Sequence, residues 1–365
     1  MAAGAFDFFL TPPPSARLVV EEGTFLLLAA SIGVLLLLSV FLVLTAAYLR
    51  VKNNWKAAHW ARLEAEWTPI LLEVLAGSAP PSSLWERADE RHRLYFIDFL
   101  FRYARRVRGT DREMLVELAR PVLSTVAGRM RGGDPERRAR AVETVSLLGL
   151  EDYAKEVVAA LDDPSPLVAM IAARTLCRQE NPEYARVVLG RLHRFDQWSP
   201  KYLSTVLSTM GPDAIPELRS TLLDPTRGPL VRGIAAGALE LLHDPFAADA
   251  AVEVARSESD RDLVAAALRL LGSVGRAEHL PAVRTLCTSD DFVIRAQAVA
   301  ALGRIGNLHD FERLQTAFDD ASPWVAIHAA RGLVEIGETD VLRAAVTAGD
   351  SRSPLARQVL AEQLQ

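Results

Sequence analysis

From residue 134 onward the chain alternates short apolar runs with polar turns, and each run sets large aliphatics and alanines at helical spacing. The runs themselves repeat. With Leu302 as reference, the series Val145, Leu176, Leu207, Leu239, Leu271, Leu302, Leu333 and Leu364 advances by 31 or 32 residues at each step. Eleven positions before each reference stands a residue suited to a helix N-cap: Asp134, Ser165, Asp196, Gly228, Asp260, Asp291, Ser322 and Ser353. Pro135, Pro166, Pro229, Pro323 and Pro354 follow at the first helical position, where the missing N–H costs nothing. Four positions after the reference, Gly149, Gly211, Gly275, Gly306 and Gly337 suit the left-handed residue that closes a helix. Gln179-Glu180 and Leu242-His243 depart there and must close differently. Four positions before it lie Ala141, Ala172, Ala235, Ala267, Ala298 and Ala329, with Leu203 the exception. A small residue at a fixed place on the apolar face lets a neighbouring helix approach closely.

Each of these helices is followed by a second apolar-periodic run, as in "YAKEVVAAL", "ARVVLGRL", "IPELRSTLL", "LPAVRTLC" and "FERLQTAF". Two helices per unit, neither able to bury its face alone, predict an all-α stack in which neighbours supply the core. No strand-like alternation interrupts it.

Upstream the pattern changes. Between Glu22 and Arg50, "GTFLLLAASIGVLLLLSVFLVLTAAYL" is 27 residues without a charge. As a helix it would be about 40 Å long, enough to cross a hydrocarbon core of about 30 Å. A cleavable signal peptide would be shorter and would open on a basic cluster. Arg17 stands beside Asp7, Glu21 and Glu22 before the span, whereas Arg50, Lys52, Lys56 and Arg62 precede the first acid after it, Glu64. The positive-inside rule then puts the N-terminus outside and the repeats in the cytoplasm. Arg50, Lys52, Trp55, Lys56, Trp60 and Arg62 form the expected membrane interface, with lipid head groups as a partner. Trp67 lies farther out, before Pro69, and is expected to pack internally. "SSLWE" and "TDRE" read as capping boxes that pair Ser83 with Glu86 and Thr110 with Glu113. The expected organisation is an extracytoplasmic head at 1–23, a transmembrane helix at 24–49, a juxtamembrane helix with a degenerate helical cap at 50–131, and the repeats at 132–365.

"VIRAQAVAALGRIG", "WVAIHAARGLVEIG" and, less closely, "LVRGIAAGALELL" resemble HEAT repeats of the short kind found in phycobilisome lyases, whose consensus runs roughly V-R-x-x-A-x-x-A-L-G-x-I-G. The resemblance covers about residues 134 to 365 and implies a right-handed α-solenoid of helical hairpins. It specifies a fold and no activity. The whole arrangement, including "EWTPILLEVLAG" after the span, is also similar to bacterial membrane-anchored HEAT proteins whose genes lie beside membrane glycosyltransferases of the family 2 type. That resemblance implies such an enzyme of polysaccharide synthesis as partner, at the bacterial inner membrane.

Charge narrows the functions further. Residues 86–140 hold 14 Lys+Arg against 9 Asp+Glu, giving +5, and residues 141–365 hold 22 against 31, giving −9. An acidic solenoid is a poor match for nucleic acid. The seven histidines form no zinc-binding or nucleophile pattern, no phosphate-binding glycine loop is present, and neither a metal nor a cofactor is expected. Asp162-Asp163, Asp290-Asp291 and Asp319-Asp320 are explained by solvated turns and capping. Cys177 and Cys287 lie on different repeats, too far apart to pair.

The remaining reading is a non-enzymatic, membrane-tethered scaffold that binds a protein. Its alternative is an enzyme or subunit like the bilin lyases, against which stands the lack of a distinctive tyrosine or cysteine constellation. Repeat three, "DQWSPKYLSTVLSTMG", is the least regular unit, with Pro200 apparently inside a helix. Trp198 and Trp324 share the slot nine before the reference with Leu167, Leu230 and Val293, a position expected to pack early in the helix. Trp198, Pro200, Tyr202 and Trp324 are the candidate partner surface.

Overall fold

A computed structural model of the chain describes residues 14–88, 92–179 and 181–363, with side chains from residue 26 onward. The described residues hold 19 α-helices and no strand. Two compact units divide the chain, Met1–Phe99 and Leu100–Gln365. Of the expected head, residues 1–13 lie outside the described residues, as do Glu180 and the last reference position, Leu364.

In the first unit, α1 (Pro14–Leu75) is one unbroken helix of 62 residues, about 93 Å long. It runs through the uncharged stretch and on into the polar segment after Arg50. From Leu26 to Val51 its large apolar side chains are exposed all round, and none of the strongest hydropathic stretch is buried. Two hydroxyls in this stretch turn back on their own helix, Ser31 donating to the Leu27 carbonyl at 2.7 Å and Thr45 to Phe41 at 2.8 Å. Such bonds satisfy those two donors without water. The far end of α1 behaves as a globular helix. Leu63, Trp67, Leu71 and Val74 recur on one face and are buried. Trp67 meets Phe96 and Phe99 edge-on at 5.5 and 5.6 Å, and Trp85 meets Phe96 at 4.9 Å. These rings come from α2 (Ser82–Arg87) and α3 (Arg93–Ala104).

The second unit opens with α4 (Thr110–Gly128) and continues as helical hairpins. The first helices are α5 (Pro135–Leu148), α7 (Pro166–Leu176), α9 (Pro200–Ser208), α11 (Pro229–Leu241), α13 (Arg261–Val274), α15 (Phe292–Ile305), α17 (Pro323–Glu335) and α19 (Ser353–Glu362). The second helices are α6 (Leu150–Ala159), α8 (Pro182–Leu189), α10 (Ile215–Leu223), α12 (Ala247–Ser257), α14 (Leu280–Leu286), α16 (Phe311–Phe318) and α18 (Asp340–Ala348). Every described reference residue and every alanine of the small-residue slot is buried. The first helices therefore stack on one another, as the pattern requires.

Helix ends follow the sequence rules unevenly. Asp134, Asp260 and Asp291 cap with their side chains, accepting from the N–H groups of Arg137, Leu263 and Val293. Repeat three shifts its start: Ser199, not Asp196, caps α9, accepting from the Tyr202 N–H, and Pro200 is the first helical residue rather than an internal one. Neither expected capping box forms. Ser83 already lies within α2 and donates back to the Pro80 carbonyl, and α4 starts after Gly109 with no side-chain cap.

Of the closing glycines, Gly211 and Gly337 take positive φ. Gly275 and Gly306 do not, and steric room is what requires them: a Cβ would stand 2.4 Å from the Leu271 carbonyl oxygen and 2.3 Å from that of Leu302. Where repeat four lacks glycine, His243 itself adopts φ 51°.

A second set of bonds ties consecutive repeats and corrects the reading of the paired acids. Arg138 forks onto Asp163 at 2.9 and 2.8 Å, and Arg295 onto Asp320 at 2.9 and 3.1 Å. Arg232 reaches Glu258 at 2.6 Å. Asp162 takes Arg191 and Arg194, and Asp319 takes Arg352. A parallel pair joins second helices: Arg284 forks at 2.7 and 2.9 Å onto Asp310, which is fully buried. The Arg295 fork holds the Asp320 carboxyl below its ordinary value. At Asp163 and Asp310 burial pushes the carboxyl up, but the arginine forks and backbone N–H bonds outweigh it and the net displacement is downward. Bidentate, charge-assisted bonds of this kind fix geometry as well as adding attraction.

Candidate partner-binding surface

The slot nine before the reference comes at the start of each first helix, one step along the stack per repeat. It is not the packing position expected. Leu167 is 42% exposed, Leu230 44% and Trp324 66%, and Trp198 and Val293 are half-buried. Asp262 occupies the slot in α13 and breaks the row.

At the start of α9, Trp198 stacks on Tyr202 at 5.4 Å with 27° between the rings, and exposed Pro200 lies between them in sequence. Trp198 Nε1 is buried without a hydrogen-bond partner among the described residues. Pro200 also lines a groove of about 380 Å³ with Leu230, Val293, Asp260, Asp262 and Arg269. Three of the four candidate residues are thus gathered at one helix start. Trp324 stands apart on α17.

The groove combines aliphatic walls with two carboxylates and one guanidinium. That mixture can seat an apolar side chain flanked by a positive charge. It offers no general base beside a nucleophile. Among the described residues no group of three or more His, Cys, Asp or Glu is placed to hold a metal ion. Both cysteines are free thiols, each pushed up to about 12 chiefly by burial, so neither supplies a thiolate near neutral pH.

On α1, Arg50, Lys52, Trp55, Lys56 and Arg62 are exposed, Trp55 at 78%. Lys52 Nζ lies 5.8 Å from the centre of the Tyr48 ring. Trp60 differs from them, being half-buried against Tyr95 at 5.5 Å in a cluster with His59 and His92. It serves the aromatic packing of the first unit.

A family model described as HEAT repeats matches residues 248–320, from α12 to the end of α16. Comparison with curated proteins finds no match. Among solved structures, the karyopherin Kap121p bound to the extreme C-terminus of the protein phosphatase Cdc14p aligns at TM-score 0.45 and 15% identity, over 74% of this chain and 38% of that one. Kap121p bound to the SUMO protease Ulp1p aligns at 0.44 and 14%, over 77% and 39%. Human deoxyhypusine hydroxylase in complex with glycerol aligns at 0.28 and 18%, over 70% and 98%. The chain spans about two fifths of the length of the karyopherin chains it matches. The class that the fold defines is an all-α stack of helical hairpins after one long apolar N-terminal helix, with a HEAT-repeat match over α12 to α16.

Proposed function

We propose that the chain is a non-enzymatic, membrane-anchored scaffold, with α1 as a single-pass anchor and the HEAT solenoid as the surface that binds a protein. The observation that carries this reading is the stretch of α1 from Leu26 to Val51, apolar on every face and covered by nothing. In water so large an apolar surface is a liability; in a bilayer it is a requirement. The basic residues that follow favour a cytoplasmic solenoid at the inner membrane of a bacterium. A stack of helical hairpins offers an extended face of exposed side chains, and protein binding is the role that suits it. The partner we favour is an integral membrane enzyme, specifically a polysaccharide-synthesising glycosyltransferase, on the strength of the resemblance at "EWTPILLEVLAG".

Affinity purification in mild detergent tests both halves when full-length protein is compared with a form lacking residues 1–50. Recovery of a membrane glycosyltransferase with the full-length form alone supports the proposal and places part of the contact in the bilayer. Its absence from both preparations removes the favoured partner. A full-length chain that washes off membranes in alkaline carbonate removes the anchor.

A further inference from the structure

Most inter-repeat arginines in the solenoid meet a carboxylate. One cluster does not. Arg105, Arg112, Arg174 and Arg178 line a single cleft of about 320 Å³, together with Ser146, Leu147 and Gln179, and among the described residues Glu143 is the only acid on its wall. Arg105 lies over the Phe101 ring at 5.8 Å, and Arg112 reaches only the Leu147 carbonyl, at 3.5 Å. Among the described residues, none of the four is ion-paired. Four guanidiniums against one described carboxylate leave the cleft with an excess of positive charge that favours an anion.

A second, independent observation points the same way. Ser146 is 2% exposed and lines this cleft, yet its hydroxyl has no hydrogen-bond partner among the described residues. An unsatisfied buried hydroxyl is destabilising in the free chain and is accounted for by a ligand atom that bonds to it.

We propose that this cleft binds a small phosphate-bearing molecule. A carboxylate is satisfied by one guanidinium fork, whereas a phosphoryl group offers several oxygens in different directions, which suits forks converging from three segments. Arg112 comes from α4, Arg174 from α7, and Arg105 and Arg178 from the ends of α3 and α7. Ser146, on α5, supplies a hydroxyl from the floor. A volume of about 320 Å³ is at the lower end of small-molecule pockets, roughly 300–1,000 Å³. A phosphomonoester or diphosphate fits that size; an extended macromolecular segment does not. Its occupant would join α4, α5 and α7, and so bear on how the first repeats stack.

The test uses full-length protein in detergent and inorganic pyrophosphate as probe, at ionic strength held constant with potassium chloride. Titration calorimetry should give saturable one-site binding. A double variant, Arg174→Gln with Arg178→Gln, should weaken it roughly tenfold or more. Ser146→Ala should act with opposite signs: a higher Tm for the free chain, since the unpaired hydroxyl is gone, and weaker pyrophosphate binding. Absence of saturable binding at millimolar pyrophosphate overturns the proposal, as does equal affinity in the double arginine variant. Equal binding of sulfate would reduce the cleft to an unselective anion site. Binding of bilayer discs containing phosphatidic acid without binding of pyrophosphate would assign a lipid instead.

Discussion

Two junctions in the same stack solve one problem by opposite means. Between α15 and α17 the helices meet backbone to backbone: a Cβ at Gly303 would stand 2.6 Å from the Gly332 Cα. Between α9 and α11 they meet through a polar bridge, the Ser204 hydroxyl donating to the Ile234 carbonyl at 2.9 Å, with Gly237 leaving the space it needs. The first junction is built on missing side chains and tolerates none. The second carries a directional bond at the unit where Leu203 replaces the usual alanine. Close approach thus needs no fixed residue at a fixed slot; it needs matched pairs across the gap, chosen junction by junction.

The largest effect should come from filling the first gap. Gly303→Leu places a branched side chain against backbone, and overpacking of this kind costs about 3 kcal/mol or more. Chemical denaturation of the full chain measures it, and a loss under 1 kcal/mol would mean the helices separate easily. At the second junction Gly237→Ala would bring a Cβ within 2.5 Å of Ser204 Oγ. The bridge should break at a cost of about 1–2 kcal/mol. Combined with Ser204→Ala, the alanine gains room, and the double variant should recover part of the loss. Strict additivity would show that the two residues do not act as a pair.

How far such features could be read beforehand depends on their range. The reference leucines and the alanine slot were legible because burial imposes a period that one sequence displays. Their partners across repeats were not. Arg138 and Asp163, or Arg295 and Asp320, lie 25 residues apart, and nothing local separates a clamped aspartate from a solvated one. The start of α9 was misplaced by three residues for a different reason: Asp196 and Ser199 both suit a cap, and Pro200 decides for Ser199 by its own fitness for the first turn. The slot nine before the reference was legible as a column. Its exposure was not, because whether a first turn is covered is decided by the neighbouring repeat.

The paired aspartates set a pH response that distinguishes them from surface acids. Asp163, Asp310 and Asp320 have folded values below the ordinary aspartate value of about 3.9. Their contribution is fully present above that value and is lost as pH falls through the depressed folded values. Their contribution should therefore be flat near neutrality and decline below about pH 4. Asp310→Ala should remove part of that decline while lowering stability by about 2–3 kcal/mol at pH 7, because Arg284 is left without its buried partner. The reverse, unchanged acid sensitivity in this variant, would assign the decline to other carboxylates.

The smallest effect on folding belongs to Trp324, a residue of the proposed docking surface. Trp324 is 66% exposed at the start of α17, on a helix that Ala329 and Leu333 already fasten to its neighbours. Trp324→Ser should leave stability within about 0.5 kcal/mol, as for surface positions generally. If the exposed column is the docking face, the same change should weaken partner capture by roughly tenfold, since large aromatics carry a disproportionate share of interface energy. Trp198→Ser is the informative contrast. Its ring is committed to Tyr202, so substitution should lower both Tm and binding. A loss of binding at Trp198 with none at Trp324 would confine the docking face to the irregular third repeat, whereas losses at both would extend it along the stack.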